Sequence, residues 1–492
     1  MSSSRLADAA SAANRFGLGA RPGTLAGLHD PRGALANELR APSANAVQFA
    51  GLTRSADYLV AEFDFRRDRK QRKREVGEAK NGAAGIAGTD AQKLAAGGFR
   101  RQFGDQLIAE GNARWNAALA APVGFGERIV RFWSNHFAVS VDKRQALLYA
   151  APMEREVIRP LAFGRFADLL LGVETHPAML RYLDNAESIG PDSRVGERVA
   201  QFGNDPQRKR RLGLNENLAR EILELHTLGV DGGYTQADVT ELARAITGWS
   251  IRAPRDGDGG TRLALTHGND ATGFVFRENA HEPGSRSILR RRYMENGMDQ
   301  GRAVLADLAV HPATAKHLSL KLSRHFVSDQ PPPKLLQRMA VAWLDTGGDL
   351  RQWYGAMLES DEAWAPEARK LRAPDDFLVA ALRALDVRQV PDVRRLTGLL
   401  ARLGRPDFMP RSPAGFADSA DAWIGPDALW KRIQAAEELA SRAPRLLVPA
   451  QVARDALGPR LGPATAQAIV RADSPQQALT LLLGSPDFQW RI

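Results

Sequence analysis

The chain has 492 residues, of which 44% are hydrophobic and 25% charged, with no cysteine and a formal charge of +10. A chain of this length outgrows one core, so two or three packed subdomains are expected. The missing cysteine removes disulfides, thiolate nucleophiles and Cys-based metal sites, and no stretch approaches the ~20 apolar residues of a membrane-spanning helix.

The N-terminus, MSSSRLAD, lacks the basic and then apolar pattern of a secretory signal. That predicts a cytoplasmic protein, or one exported in complex with a partner. Ala7 to Asp64 is alanine-rich with helical periodicity and a loop at Gly17 to Gly23, giving an N-terminal helical segment over 1–65. Residues 66–104 combine the basic run RRDRKQRKRE at Arg66 to Glu75 with NGAAGIAGTD, which predicts a mobile insertion. A central helical domain over 105–330 and a C-terminal helical subdomain over 331–492 follow. Two further gaps are expected at Gly190 to Gly213 and Ala253 to Gly260. The basic runs at Arg66, Arg208 to Arg211 and Arg290 to Arg292 fit no nucleic-acid module, and the first two lack interleaved aromatics. They are expected to be solvated surface, and nucleic acid is not the expected partner.

Helical periodicity recurs at Glu127 to Phe137, Ala178 to Asp184, Glu216 to Leu228, Gln236 to Thr247, Met298 to Ala309, Ala313 to Phe326 and most of Pro332 to Ile492. The fold class is therefore mainly α, a multi-helix array. The exception is a short β-hairpin insertion around 263–293, with Gly273 to Arg277 and Ser287 to Leu289 flanking a turn at Glu278 to Ser285. His176-Pro177 and His311-Pro312 suit helix starts, because proline fits the first helical position.

The best punctuated stretch is Asn215 to Trp249. Asn215 can cap a helix whose first turn carries Glu216, and Gly229 can end it in a left-handed conformation. Gly232-Gly233 then turns the chain, and Thr235 with Asp238 forms a capping box for a second helix. At ~100° per residue, Leu218, Ala219, Ile222, Leu223 and Leu225 share one arc with His226 inside it, while Glu216, Asn217, Arg220 and Glu224 lie opposite and Glu221 sits at the boundary. The same wheel places His136 between Ile129 and Trp133. Two inward imidazoles need polar partners, for which Glu221, Asn135 and Asn217 are suitable. The polar arc by itself is equally suited to a salt-bridged surface.

In order along the chain, RFWSNHF, HPAMLRYLDN, LNENLAREILELHTLGVDGGYTQADVTELARAITGW, HPATAKHLSLKLSRHFVSD and SPAGF resemble the bacterial domain-of-unknown-function family numbered 1800. The likeness spans nearly the whole chain. Where that family commonly has Phe-Trp-His-Asn-His-Phe, Ser134 replaces the first histidine; its His-Asp pair appears as His281-Glu282, and an expected lysine as Arg286. The resemblance implies no mechanism. It does imply a companion protein of the phosphatase and sulfatase kind, with which this chain could be exported.

Two functions follow as expectations. One is an enzyme, hydrolytic or metal-assisted, acting on an anionic or polar substrate. Its catalytic set is His136, Glu221, Glu224, His226 and His281, with Asn135, Asn215, Asn217, Arg220 and Tyr234 binding substrate. Glu221-x-x-Glu224-x-His226 is not a zinc spacing, so no metal ligands are assigned and the cofactor is left unknown. The other is a non-catalytic scaffold or export companion of the phosphatase-like partner, with the histidines locking helices together. No serine elbow, Walker loop or dinucleotide fingerprint is present.

Overall fold

Small side chains bring the N-terminus into the interior. In a computed structural model that describes residues 3–40, 46–80, 98, 101–201, 213–252, 265–269, 272–367 and 369–491, helix α1 (Ser3–Ser11) runs into a π-helical turn, Ala12–Phe16. Ala9, Ala10, Ala12 and Ala13 are completely buried there. Gly19 follows at φ +102°, where a Cβ would stand 2.9 Å from the Cα of Ala380. Only glycine permits both that dihedral and that approach.

The main helices follow as α2 (Pro31–Arg40), α3 (Ser55–Lys80), α4 (Gly104–Ala120), α5 (Phe125–His136), α6 (Phe166–Glu174), α7 (Asn217–Glu221), α8 (Gln236–Ala245), α9 (Met298–Ala309), α10 (Pro312–Phe326), α11 (Pro333–Thr346), α12 (Leu350–Leu358), α13 (Pro374–Ala384), α14 (Val393–Arg402), α15 (Pro426–Ala440) and α16 (Pro475–Gly484). As the helical periods predicted, the fold is mainly α. Pro312 and Pro177 each sit at a helix start, capped by the side chains of His311 and His176, which accept from Ala313 N and Ala178 N.

Two large apolar clusters organise the described residues, with a small third around Leu371, Ala420 and Trp423. The larger extends from Ala9 to Trp364 and includes Phe132, Trp133, Phe166, Leu318, Leu335, Trp343 and Trp353. The smaller joins α13 to α16 with Leu18, Trp115, Ala118 and Leu119. The expected division at 65/66 falls inside a helix, and the one at 330/331 falls in the loop between α10 and α11. Helix α3 runs through the first, since arginine and lysine are good helix formers and the basic run extends the helix begun at Ser55. Helices α10 and α11, on either side of the second, share the larger cluster. The chain divides by packing between Trp364 and Phe377 instead. The gap expected at Gly190 to Gly213 instead contains a helix, Arg194–Gln201; its remainder over 202–212 with the RKRR run, the gaps expected at Asn81 to Asp90 and 253–260, and the side chains of 72–75 lie outside the described residues.

An ionic seam crosses the division. Asp375 and Asp376 occupy the first turn of α13, where the helix dipole favours anions. Arg128 lies 2.6 Å from Asp376 and donates to Gly17 O, while Asp375 is flanked by Arg405 at 2.9 Å and Arg131 at 3.4 Å. Burial alone would raise the Asp376 pKa, but Arg128 and Arg491 outweigh it and hold that carboxyl well below its usual range.

The strands are β1 (Trp249–Ile251), β2 (Leu265–Asn269), β3 (Phe274–Arg277), β4 (Arg286–Ile288), β5 (Arg291–Tyr293), β6 (Lys370–Leu371) and β7 (Trp490–Arg491). A short hairpin, β4 with β5, lies within 263–293 as expected. The two segments expected to flank its turn are both extended but pair elsewhere: β3 lies between β1 and β2, and β4 pairs with β5. Trp249 opposite Phe276 and Ser250 opposite Val275 bury the β1–β3 edge in the core, which draws β3 away from β4.

Candidate functional site

The site lies where the C-terminal ends of α5, α6 and the Asn215 motif meet the middle of α10. Asn215 Oδ1 accepts from Asn217 N at 2.9 Å and starts the motif helix. After α7 the chain winds as a π-helix over Ile222–His226, and Gly229 (φ +87°) ends the segment. A Cβ on Gly229 would lie 2.8 Å from His317 Nδ1, so the glycine also leaves room for that ring. Across the turn, Thr235 and Asp238 form the predicted capping box. Asp is short enough to serve it with Oδ2 while Oδ1 accepts from Leu289 N at 2.7 Å.

The two inward imidazoles do meet. His136 and His226 are 1% and 0% exposed, with ring centroids 6.0 Å apart. His136 Nε2 lies 3.2 Å from His226 O; a carbonyl only accepts, so that nitrogen carries the proton and Nδ1 is left without a partner. His317 Nε2 lies 3.3 Å from Leu225 O. Two imidazoles thus satisfy carbonyls at the end of the motif helix that have no partner within it. His226 Nδ1 stands 2.8 Å from Glu174 Oε1, both side chains being fully buried. The N–H does not point squarely at the oxygen, so this is a close polar contact rather than an aligned hydrogen bond. His226 Nε2 has no partner among the described residues. Trp133 and Phe137 pack edge-on to His136, and Phe137 to His226, which keeps the surroundings apolar.

Helix α10 contributes His317, Lys321 and His325 at intervals of four, one polar stripe between Leu318, Leu322 and Phe326. His325 Nδ1 is 3.0 Å from Asp418 Oδ1, so that pair is closed. Lys321 is different. It is half-buried, and its ammonium makes no hydrogen bond or ion pair among the described residues. Burial lowers its pKa to about 8, against the raising influence of Asp418. Burial also pushes His136 well below its usual value, with Lys321, His226 and His317 adding to the effect, and takes His317 to about 4 with Lys321 contributing. Burial thus disfavours the charged forms of His136 and His317 beside the Lys321 ammonium, and Glu174 stands against His226.

The other predicted residues divide. Glu221 is half-buried on the near side: burial raises its pKa, His226 lowers it, and Glu174 adds to the rise. Glu224 faces away and accepts from Tyr234 OH at 3.3 Å. Arg220 contacts Glu216 at 3.4 Å and Gln236 at 2.8 Å, part of a surface network joining the two motif helices. Asn217 is exposed. Asn135 is engaged on both atoms by the Phe416 backbone, at 2.9 and 2.8 Å, pinning the SPAGF loop to α5. Asn215, Arg220 and Tyr234 thus brace the motif while Asn135 holds the SPAGF loop, and none of these side chains is hydrogen-bonded to the imidazole pair.

His281 does not join the set. It follows β3, its Nδ1 lies 3.0 Å from Thr247 O, and it lines a separate cleft with Asp192, Glu278 and Glu282. The pairing of β3 with β1 fixes it there. Among the described residues, no group of three or more His, Asp or Glu is arranged to hold a metal ion, and no helix is long and apolar enough to cross a membrane.

Sequence reasoning missed Glu174, His317, Lys321 and His325. The signals were present: a lone glutamate closing the apolar run FADLLLGVE, and a four-residue polar repeat inside a predicted helix.

No curated protein and no solved structure matches the chain. A family model described as "Protein of unknown function (DUF1800)" matches residues 11–490. That span takes in α5, the Asn215 motif and α10, and the chain belongs to this family.

Proposed function

We propose that the chain is an enzyme whose acid–base site is formed by Lys321, His317, His226 and His136 beside Glu174, hydrolysing a polar or anionic substrate. The observation that carries this reading is the half-buried Lys321 ammonium beside imidazoles, with no ion-pair contact among the described residues. Such a cation attracts an anionic group, and with a pKa of about 8 it exchanges protons close to neutral pH, as tuned catalytic lysines do. Glu174 holds His226 through Nδ1 and leaves Nε2 as a proton acceptor, the division of labour between an orienting carboxylate and a base. Lys321 and His317 are the half-exposed members, so substrate approaches from their side, with Glu221 at the edge. Screening chromogenic carboxyl esters, phosphomonoesters, sulfate esters and glycosides tests the proposal. Hydrolysis of at least one class, lost in Lys321→Met and His226→Asn with unchanged circular dichroism, is expected. No turnover of any class, or full turnover in both variants, overturns it.

A second reading is a non-catalytic scaffold, or export companion of a phosphatase- or sulfatase-like partner. The observation favouring it is the use of His136 and His317 to cap helix carbonyls, an arrangement complete without substrate. It predicts that His226→Ala lowers stability and partner binding together while Lys321→Met leaves partner binding unchanged.

A further inference from the structure

Helices α13, α14 and α15 leave between them a cleft of about 310 Å³, far in sequence from the imidazole cluster. Its floor is Leu382, Leu385, Leu396, Leu399 and Leu439, each 7% exposed or less. Its mouth carries Asp392, Arg395, Glu438 and Arg442. Asp392 is committed as the cap of α14, accepting from Arg394 N and Arg395 N at 3.0 and 3.3 Å. Glu438 is taken by Arg402 and, at 3.6 Å, by Arg395. The Arg442 guanidinium makes no hydrogen bond or ion pair among the described residues. An apolar cleft of this size with a few polar groups at one end has the character of a small-molecule site. The surplus cation at its mouth selects the charge of the occupant.

We infer that this cleft binds a straight-chain aliphatic carboxylate, its methylenes against the leucines and its head group on Arg442, with Arg395 alongside. A guanidinium fork matches a carboxylate in geometry as well as charge, and leucine side chains reward each added methylene.

Isothermal titration of the full chain with hexanoate, octanoate and decanoate tests this, with 1-decanol as the uncharged control. Decanoate is expected to bind once per chain, and affinity to rise by up to about fourfold per methylene. The alcohol is expected to bind about tenfold more weakly, because it lacks the charge-assisted contact. Arg442→Gln should bring decanoate down to the level of the alcohol and leave the alcohol unchanged. Ala443→Phe, which fills the mouth, should weaken both. Three results each overturn the inference: no decanoate binding at about 1 mM, equal affinity for acid and alcohol, or binding unaltered by Ala443→Phe. The position of Arg442 on the surface lets both the variant and the wild type be compared as folded proteins.

Discussion

Replacing Lys321 with methionine should make the protein more stable, not less. Its pKa falls from 10.5 to about 8 on folding, and each pKa unit corresponds to about 1.4 kcal/mol. Keeping the ammonium charged in the folded state therefore costs about 3 kcal/mol below pH 8, reduced to about 1–2 kcal/mol by its partial exposure to solvent. The unfolded chain binds this proton up to about pH 10.5 and the folded chain only to about pH 8. The penalty is thus full below pH 8 and disappears as pH rises to 10.5. Thermal unfolding of both proteins at pH 7 and pH 10 reads this directly. Lys321→Met should melt about 1–2 °C higher at pH 7, and the difference should shrink at pH 10. A variant that melts several degrees lower at pH 7 would mean that the ammonium makes stabilising bonds, and the argument that it is held at a cost for function would fail.

His226→Leu leaves the buried Glu174 without its 2.8 Å imidazole contact and should destabilise by about 1–3 kcal/mol, while Glu174→Leu on that background should recover a large part; additive losses in urea unfolding would contradict the pairing. Burial depresses His136 and His317 below the unfolded value of about 6.5, so the stability they contribute is present above that pH and is lost as pH falls toward the folded values. With its folded pKa at about 4, His317 alone accounts for about 2 kcal/mol between pH 7 and pH 5, and a melting profile equally steep in His317→Asn would show that other groups are responsible. Thr235→Ala breaks the capping box of α8 and should cost about 1 kcal/mol, with an unchanged urea midpoint as the contrary result.

Local rules carried much of the fold. The capping box at Thr235 and Asp238, the stop at Gly229 and the burial of His136 and His226 each depend on a few neighbouring residues, and each was legible. What was not legible depends on pairing over distance. Glu174 and His226 are 52 positions apart in the numbering, and the spacing within either motif says nothing of the other. His281 was grouped with the imidazoles because its residue type suited them, yet β1–β3 pairing places it beside Thr247. Arg220 and Glu216 looked equally suited to surface or site, and Gln236 and Thr240 from the second helix decided for the surface. The stripe on α10 follows from helical periodicity, but the burial of its lysine depends on how that helix packs, which spacing alone does not show.

The central claim is that Lys321 and the Glu174-oriented His226 perform hydrolysis. The most direct measurement is turnover of the chromogenic ester panel by wild type and by Lys321→Met, with both proteins shown to be folded by their melting curves. The account predicts turnover in the wild type alone, with the inactive variant at least as stable. Turnover retained by Lys321→Met, or absent from both, would contradict it and leave the imidazoles as an architectural lock.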